Sequence, residues 1–110
     1  MRRVVLVPQA RRDLSGIWDF SAEAWGAAQA DRYVARLVSR MEQAARRQSI
    51  GRPSDDLYPG LRRPKSGSHF IYFLEADDGI RVVRILHEQM DVEQHLTALA
   101  DKPIKPDEID

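Results

Sequence analysis

The sequence predicts a single α+β domain: an N-terminal strand, an antiparallel helical hairpin, and a small antiparallel sheet on which the hairpin packs. Three observations predict it. A short β-branched run, Val4, Val5, Leu6 and Val7, opens the chain. A long stretch of helical periodicity follows it, and two runs rich in Ile, Val, Phe and Tyr flank an Asp78-Gly79 pair further on. Helical patterning first and strand patterning last is the order expected of helices gathered on one face of a sheet.

The elements follow in turn. The first run is bounded by arginines and Pro8 and reads as a buried strand, with Pro8 either stopping the ladder or starting the next helix. From Gln9 onward, Leu14, Ile17, Trp18 and Trp25 share one helical face, and Gly26 can end the helix by taking positive φ. The second helix has the most sustained pattern: Ala30, Tyr33, Val34, Leu37, Val38, Met41, Ala44 and Ala45 form an apolar stripe, with Arg32, Arg36, Arg40 and Arg47 on the other side. A turn as short as the one at Gly26 makes the two helices antiparallel.

Residues 49–60 hold two prolines and two glycines among Ser and Asp, and read as a loop. Residues 61–65 can form a strand that Pro64 confines to an edge or an end. Residues 69–75 and 80–87 read as a hairpin, since Asp-Gly favours the turns that join antiparallel strands. Both faces of the last strand carry apolar residues, so it belongs at the centre of the sheet or is covered on both sides. Residues 91–100 are expected to form a short helix. The domain is expected to span residues 1–100, with 101–110 as a mobile tail that Pro103 and Pro106 keep from extending the helix.

A chain of 110 residues is long enough for one core. It has no cysteine, which rules out a disulfide framework and a thiolate metal site. The first apolar run is too short for a signal-peptide core and no stretch approaches a membrane span, so a soluble cytoplasmic protein is expected. The formal charge is zero, but residues 1–65 carry 13 Lys and Arg against 7 Asp and Glu, and residues 66–110 carry 4 against 10. That division predicts a basic and an acidic surface patch and little general attraction to nucleic acid, so direct nucleic-acid binding without a partner is not expected.

Few residues offer chemistry. A ribonuclease would need a base, an acid and cations around one phosphate, and the candidates are Arg62, Arg63, Lys65, His69, Arg84, His87 and Glu88. Alternation places Arg84 and His87 on opposite faces of the last strand unless a bulge intervenes, which argues against a shared phosphate. His87 reads as a strand-end histidine before a catalytic base. Arg84 either pairs inside the fold with Asp19, Glu23 or Asp91, or contacts a partner. His87, Asp91 and His95 match no established ligand spacing, no Gly-rich phosphate loop is present, and neither metal nor cofactor is expected. Trp18 and Trp25 read as core, and the arginine stripe as a solvated face before a binding surface.

Several segments, taken in order, resemble one family. They are Arg12-Asp13-Leu14, Ile17-Trp18-Asp19-Phe20, Trp25-Gly26, Gln29-Ala30 with Tyr33, Gly60-Leu61-Arg62-Arg63, Gly67-Ser68-His69, Arg84-Ile85-Leu86-His87, Met90-Asp91 and His95-Leu96. Over residues 4–96 the chain resembles the ParE toxins of the ParE/RelE superfamily. The resemblance implies the toxin of a type II toxin-antitoxin pair, held by a ParD-like antitoxin and directed at DNA gyrase, with no catalytic residues of its own. Antitoxin contacts would then fall on Arg32, Arg36, Arg40, Arg62 and Arg63, and target contacts on Arg84 and His87. Two alternatives stand beside it: a ribosome-dependent endoribonuclease of the RelE type, for which no Tyr or His follows Leu96, and a relative that binds a partner without toxicity.

Overall fold

The computed structural model describes residues 2–46 and 51–90. Strand β1 (Arg3–Leu6) leads into helix α1 (Pro8–Trp25), and α2 (Ala27–Ala45) runs back beside it. Then come β2 (Arg52–Pro53), β3 (Arg62–Arg63), β4 (Lys65–Ser66), β5 (His69–Ala76) and β6 (Gly79–His87). The expected terminal helix, the domain boundary near residue 100 and the tail lie outside the described residues, as do Arg47, Asp91 and His95.

Pro8 occupies the start of α1, where its missing N–H is one no helix bond would use, and the preceding Val7 is extended. Gly26, at φ 95°, stops α1 with its N–H on the Ala22 carbonyl and at once precedes α2. One residue thus makes the whole turn of the hairpin. On α2 the stripe buries Leu37, Met41, Ala44 and Ala45 in the core, Ala30 is buried as well, and Val38 at the margin of the stripe is exposed.

The fold is α+β as expected, and the sheet is mixed. Its order is β1-β6-β5-β3-β2, with β4 also on β5. The pairs β5·β6, β3·β5, β4·β5 and β2·β3 are antiparallel, but β1 runs parallel to β6, with Val4 opposite Ile80 and Leu6 opposite Val82. The helical hairpin supplies the long crossover that a parallel pair needs. Gly79 lies so close to β1 that a Cβ there would sit 1.8 Å from the Arg3 carbonyl oxygen. Only glycine permits that approach.

Strand β6 is central, as its two apolar faces predict, and buries Ile80, Val82, Val83, Ile85 and Leu86. A bulge at Val83 interrupts the pairing, since Phe73 faces Val82 while Tyr72 faces Arg84. Pro64 divides the strand expected at 61–65 into β3 and β4, and its carbonyl accepts the Ile71 N–H at 2.9 Å. The loop expected at 49–60 differs in one respect: Arg52 and Pro53 pair with β3 as a two-residue edge strand. Among the described residues no helix is long and apolar enough to cross a membrane.

Candidate functional site

Strand β1 ends at Leu6 beside Val82, so beyond Val82 the outer edge of β6 has no strand beside it. Helix α1 fills that place. Its Asp13 carboxylate accepts the Ile85 N–H at 3.0 Å, satisfying a donor that a missing strand would otherwise leave bare. The same carboxylate holds Arg84 with two bonds, Nε to Oδ2 at 2.8 Å and Nη2 to Oδ1 at 3.0 Å. The side chains are only 18% and 10% exposed, so this is a nearly buried, bidentate ion pair. The sequence left Arg84 either to pair inside the fold with Asp19, Glu23 or Asp91 or to contact a partner. The carboxylate it meets among the described residues is Asp13, because helix register and strand termination, neither readable locally, decide which acid reaches the edge.

His87 stands apart from that pair. Between Arg84 and His87 the ladder is regular, with Tyr72, Ile71, Phe70 and His69 as successive partners, so the two side chains leave the strand on opposite faces. On the helix side, the His87 ring meets His69 edge to face at 5.3 Å. Its Nδ1 accepts the Gln89 N–H at 3.1 Å. The Tyr33 hydroxyl lies 2.7 Å from His69 Nδ1 and 3.4 Å from the Ser66 carbonyl, and accepts the Ser68 N–H at 2.9 Å. Burial holds His69 below the usual histidine value of 6.5; the neighbouring His87 adds to this and Glu88 opposes it. Glu88 itself is held below its ordinary value by the hydrogen bond and charge of Lys65, whose Nζ is 2.5 Å away.

Around these rings lies a surface of apolar and basic groups. Phe20, Trp25, Tyr33, His69 and His87 border a small cleft of about 100 Å³ between α1 and the sheet. Phe20 and Trp25 are 68% and 65% exposed and meet edge to face at 6.4 Å. Trp25 was expected in the core. Its direction around the helix agrees with that, but it is the last residue of α1, one turn beyond the buried Ser21, and among the described residues little covers it there. A wider groove of about 660 Å³ continues along the hairpin past Trp25, Gln29, Arg32, Tyr33 and Arg36. Arg32 is exposed and Arg36 lies over the Tyr33 ring at 6.0 Å. Arg40 is half-buried and reaches Gln43.

The remaining expected residues lie elsewhere. Arg62 donates to the Gly51 carbonyl at 3.2 Å, while Arg63 and Lys65 stand over the ring of Phe70. Phe70 alternates with His69 along β5, which puts Arg63 and Lys65 on the face turned away from the helices. The structure therefore brings His69, His87 and Tyr33 together, and separates them from Arg84 and from Arg63. Among the described residues no group of three His, Cys, Asp or Glu could hold a metal. Sequence reasoning missed Asp13 and the exposure of Phe20 and Trp25. The available signal was Phe20 itself, a large apolar residue off the helical stripe.

The family model for the ParE toxin of type II toxin-antitoxin system, parDE, matches residues 4–92. Toxin ParE1 of Mycobacterium tuberculosis is 39% identical over 95 residues, covering 86% of this chain and 97% of that protein. Toxin ParE1 of Caulobacter vibrioides is 33% identical over 87% of this chain and 99% of its own length. Toxin ParE of Escherichia coli is 35% identical over 93% of this chain and 97% of its own. Among solved structures, one titled "Chromosomal ParDE TA system from P. aeruginosa" superposes with a TM-score of 0.66 at 24% identity, covering 79% of this chain and 96% of that one.

Proposed function

Because the chain belongs to the ParE toxin family of type II toxin-antitoxin systems, we propose that it is a cytoplasmic toxin that acts by binding, with DNA gyrase as its target and a ParD-like antitoxin as its restraint. The observation that carries this reading is the Asp13–Arg84 pair. A guanidinium held by both carboxylate oxygens in a nearly buried place is committed to the fold, and removing it from that carboxylate would strand a buried charge. With His87 on the other face, base and cation do not converge on one phosphate, so among the described residues this pair offers no assembled site for acid-base cleavage of RNA. The protein is accordingly read as a toxin without enzymatic activity.

The antitoxin contact is assigned to the hairpin surface. Exposed Phe20 and Trp25 offer apolar anchors, and Arg32 and Arg36 border the adjoining groove. An acidic amphipathic segment that folds on binding would cover the aromatics and meet the arginines, with Arg40 and the Arg62-Arg63 pair as further contacts along its path. The test sets a gyrase supercoiling assay beside a toeprinting assay for cleavage of mRNA on stalled ribosomes, with His87→Ala in both. The reading expects supercoiling to stop and mRNA to stay intact. Cleavage in the ribosomal A site that disappears in His87→Ala would replace it with the nuclease.

A further inference from the structure

On the sheet face turned away from the helices, two arginines stand directly opposite each other on adjacent strands: Arg52 of β2 is the register partner of Arg63 of β3. Like charges so placed destabilise a strand pair. Several cations in or beside the sheet have carboxylates: Arg2 has Glu75, Arg3 has Asp78, Lys65 has Glu88 and Arg84 has Asp13, whereas Arg62 spends its guanidinium on the Gly51 carbonyl. Among the described residues Arg52 and Arg63 have none. A second, independent deficit falls at the same place. Arg63 lies over Phe70 with its Cζ 5.2 Å from the ring centre, and its Nε is buried without an acceptor at bonding distance and angle, although the Tyr72 hydroxyl, itself buried and unmet, lies beside the guanidinium. A buried donor left unmet is costly, and native folds seldom retain one without a use.

Both deficits border one open cavity of about 340 Å³, lined by Gly51, Arg52, Arg63, Lys65 and Phe70. That lies within the roughly 300–1,000 Å³ of small-ligand sites. We propose that this cavity binds a phosphorylated ligand of nucleotide size. Arg52 and Arg63 hold the phosphate oxygens, Lys65 turns from Glu88 toward the same anion, and Phe70 supplies the apolar wall. A phosphate placed between the guanidiniums removes their repulsion and gives Arg63 Nε its acceptor; the planar fork of arginine donors suits phosphate oxygens. Three cations against the single carboxylate of Glu88 call for about two negative charges, which a phosphomonoester supplies and a lone carboxylate does not. No bond is made or broken there, since His69 and His87 face the other way. The site lies across the sheet from the aromatic hairpin surface; it shares Arg63 with the proposed antitoxin path and is therefore tested on the protein free of antitoxin.

Thermal unfolding and titration calorimetry on the whole protein test this, with inorganic phosphate, AMP and an unphosphorylated oligothymidylate as probes and chloride of equal ionic strength as the control. Phosphate and AMP are expected to raise the Tm of the native protein. Arg52→Ser and Arg63→Gln are expected to weaken binding at least about tenfold. Arg52→Glu is the sharper variant. It places a carboxylate opposite Arg63, so it should melt above the native protein in chloride and lose its response to phosphate. Arg52 is exposed on a two-residue edge strand, so the changes at Arg52 leave the core intact. Stronger binding of AMP than of the oligonucleotide upholds the site as one for a phosphomonoester; stronger binding of the oligonucleotide, whose phosphodiesters carry one charge each, overturns that assignment. A native protein without any response, or equal responses in native protein and variants, overturns it.

Discussion

The carboxylate of Asp13 completes the edge of β6 and fixes Arg84 at the same time, so its loss strands both a backbone donor and a charge. Removing one partner of such a pair costs about 3–5 kcal/mol. Asp13→Ala should therefore lower stability by about 3 kcal/mol in urea unfolding, and Asp13→Asn by less, because the amide oxygen still accepts the Ile85 N–H. A loss below about 0.5 kcal/mol for the alanine variant, the size of an ordinary surface change, would mean that Arg84 is free to serve elsewhere. His69 makes a prediction about pH. Its folded value lies below 6.5, so the unfolded chain takes up the proton first and stability rises with pH through that window. The contribution is complete above about 6.5 and is lost as pH falls from there toward the folded value. Unfolding curves between about pH 5 and 8 should show this slope in the native protein and a smaller one in His69→Gln; equal slopes would remove His69 as its source.

Among the elements, α2 was the most legible, because a stripe sustained from Ala30 to Ala45 leaves one direction for the core. Leu37→Ala should cost about 2–5 kcal/mol, as truncation of a fully buried leucine does. In α1 the same periodicity gave direction but not depth. Trp18 is only half-buried and donates to Asp31 at 2.8 Å, and Trp25 has passed beyond what covers the helix. Trp18→Ala is thus expected to cost less than Leu37→Ala, and Trp25→Ala to stay within about 0.5 kcal/mol in chemical denaturation. A Trp25 variant as damaging as Leu37→Ala would show that its side chain is part of the core after all. The hairpin of β5 and β6 was legible from Asp78-Gly79, whereas β2 was not, since two residues beside a proline carry no periodicity.

At the scale of the whole molecule, long-range placement is what the sequence left open. Nothing local to the first strand states that it runs parallel to β6, and nothing in Asp13 states that it meets Arg84 across 71 residues. The basic excess of residues 1–65 was legible, but the fold divides it between the hairpin groove of Arg32 and Arg36 and the opposite sheet face of Arg52 and Arg63. The expected antitoxin residues therefore do not form one patch, and a partner that reaches all of them must wrap around the sheet. What was legible about the site was mainly negative: the alternation that separates Arg84 from His87, which the bulge at Val83 leaves intact. On that separation rests the claim that the protein acts by binding. Its most direct measurement is DNA supercoiling by gyrase with increasing amounts of the purified protein, followed by addition of a ParD-like antitoxin. The account predicts inhibition that grows with dose, persists in His87→Ala and is reversed by the antitoxin, whereas undisturbed supercoiling at every dose, with ribosome-bound mRNA cut instead, would contradict it.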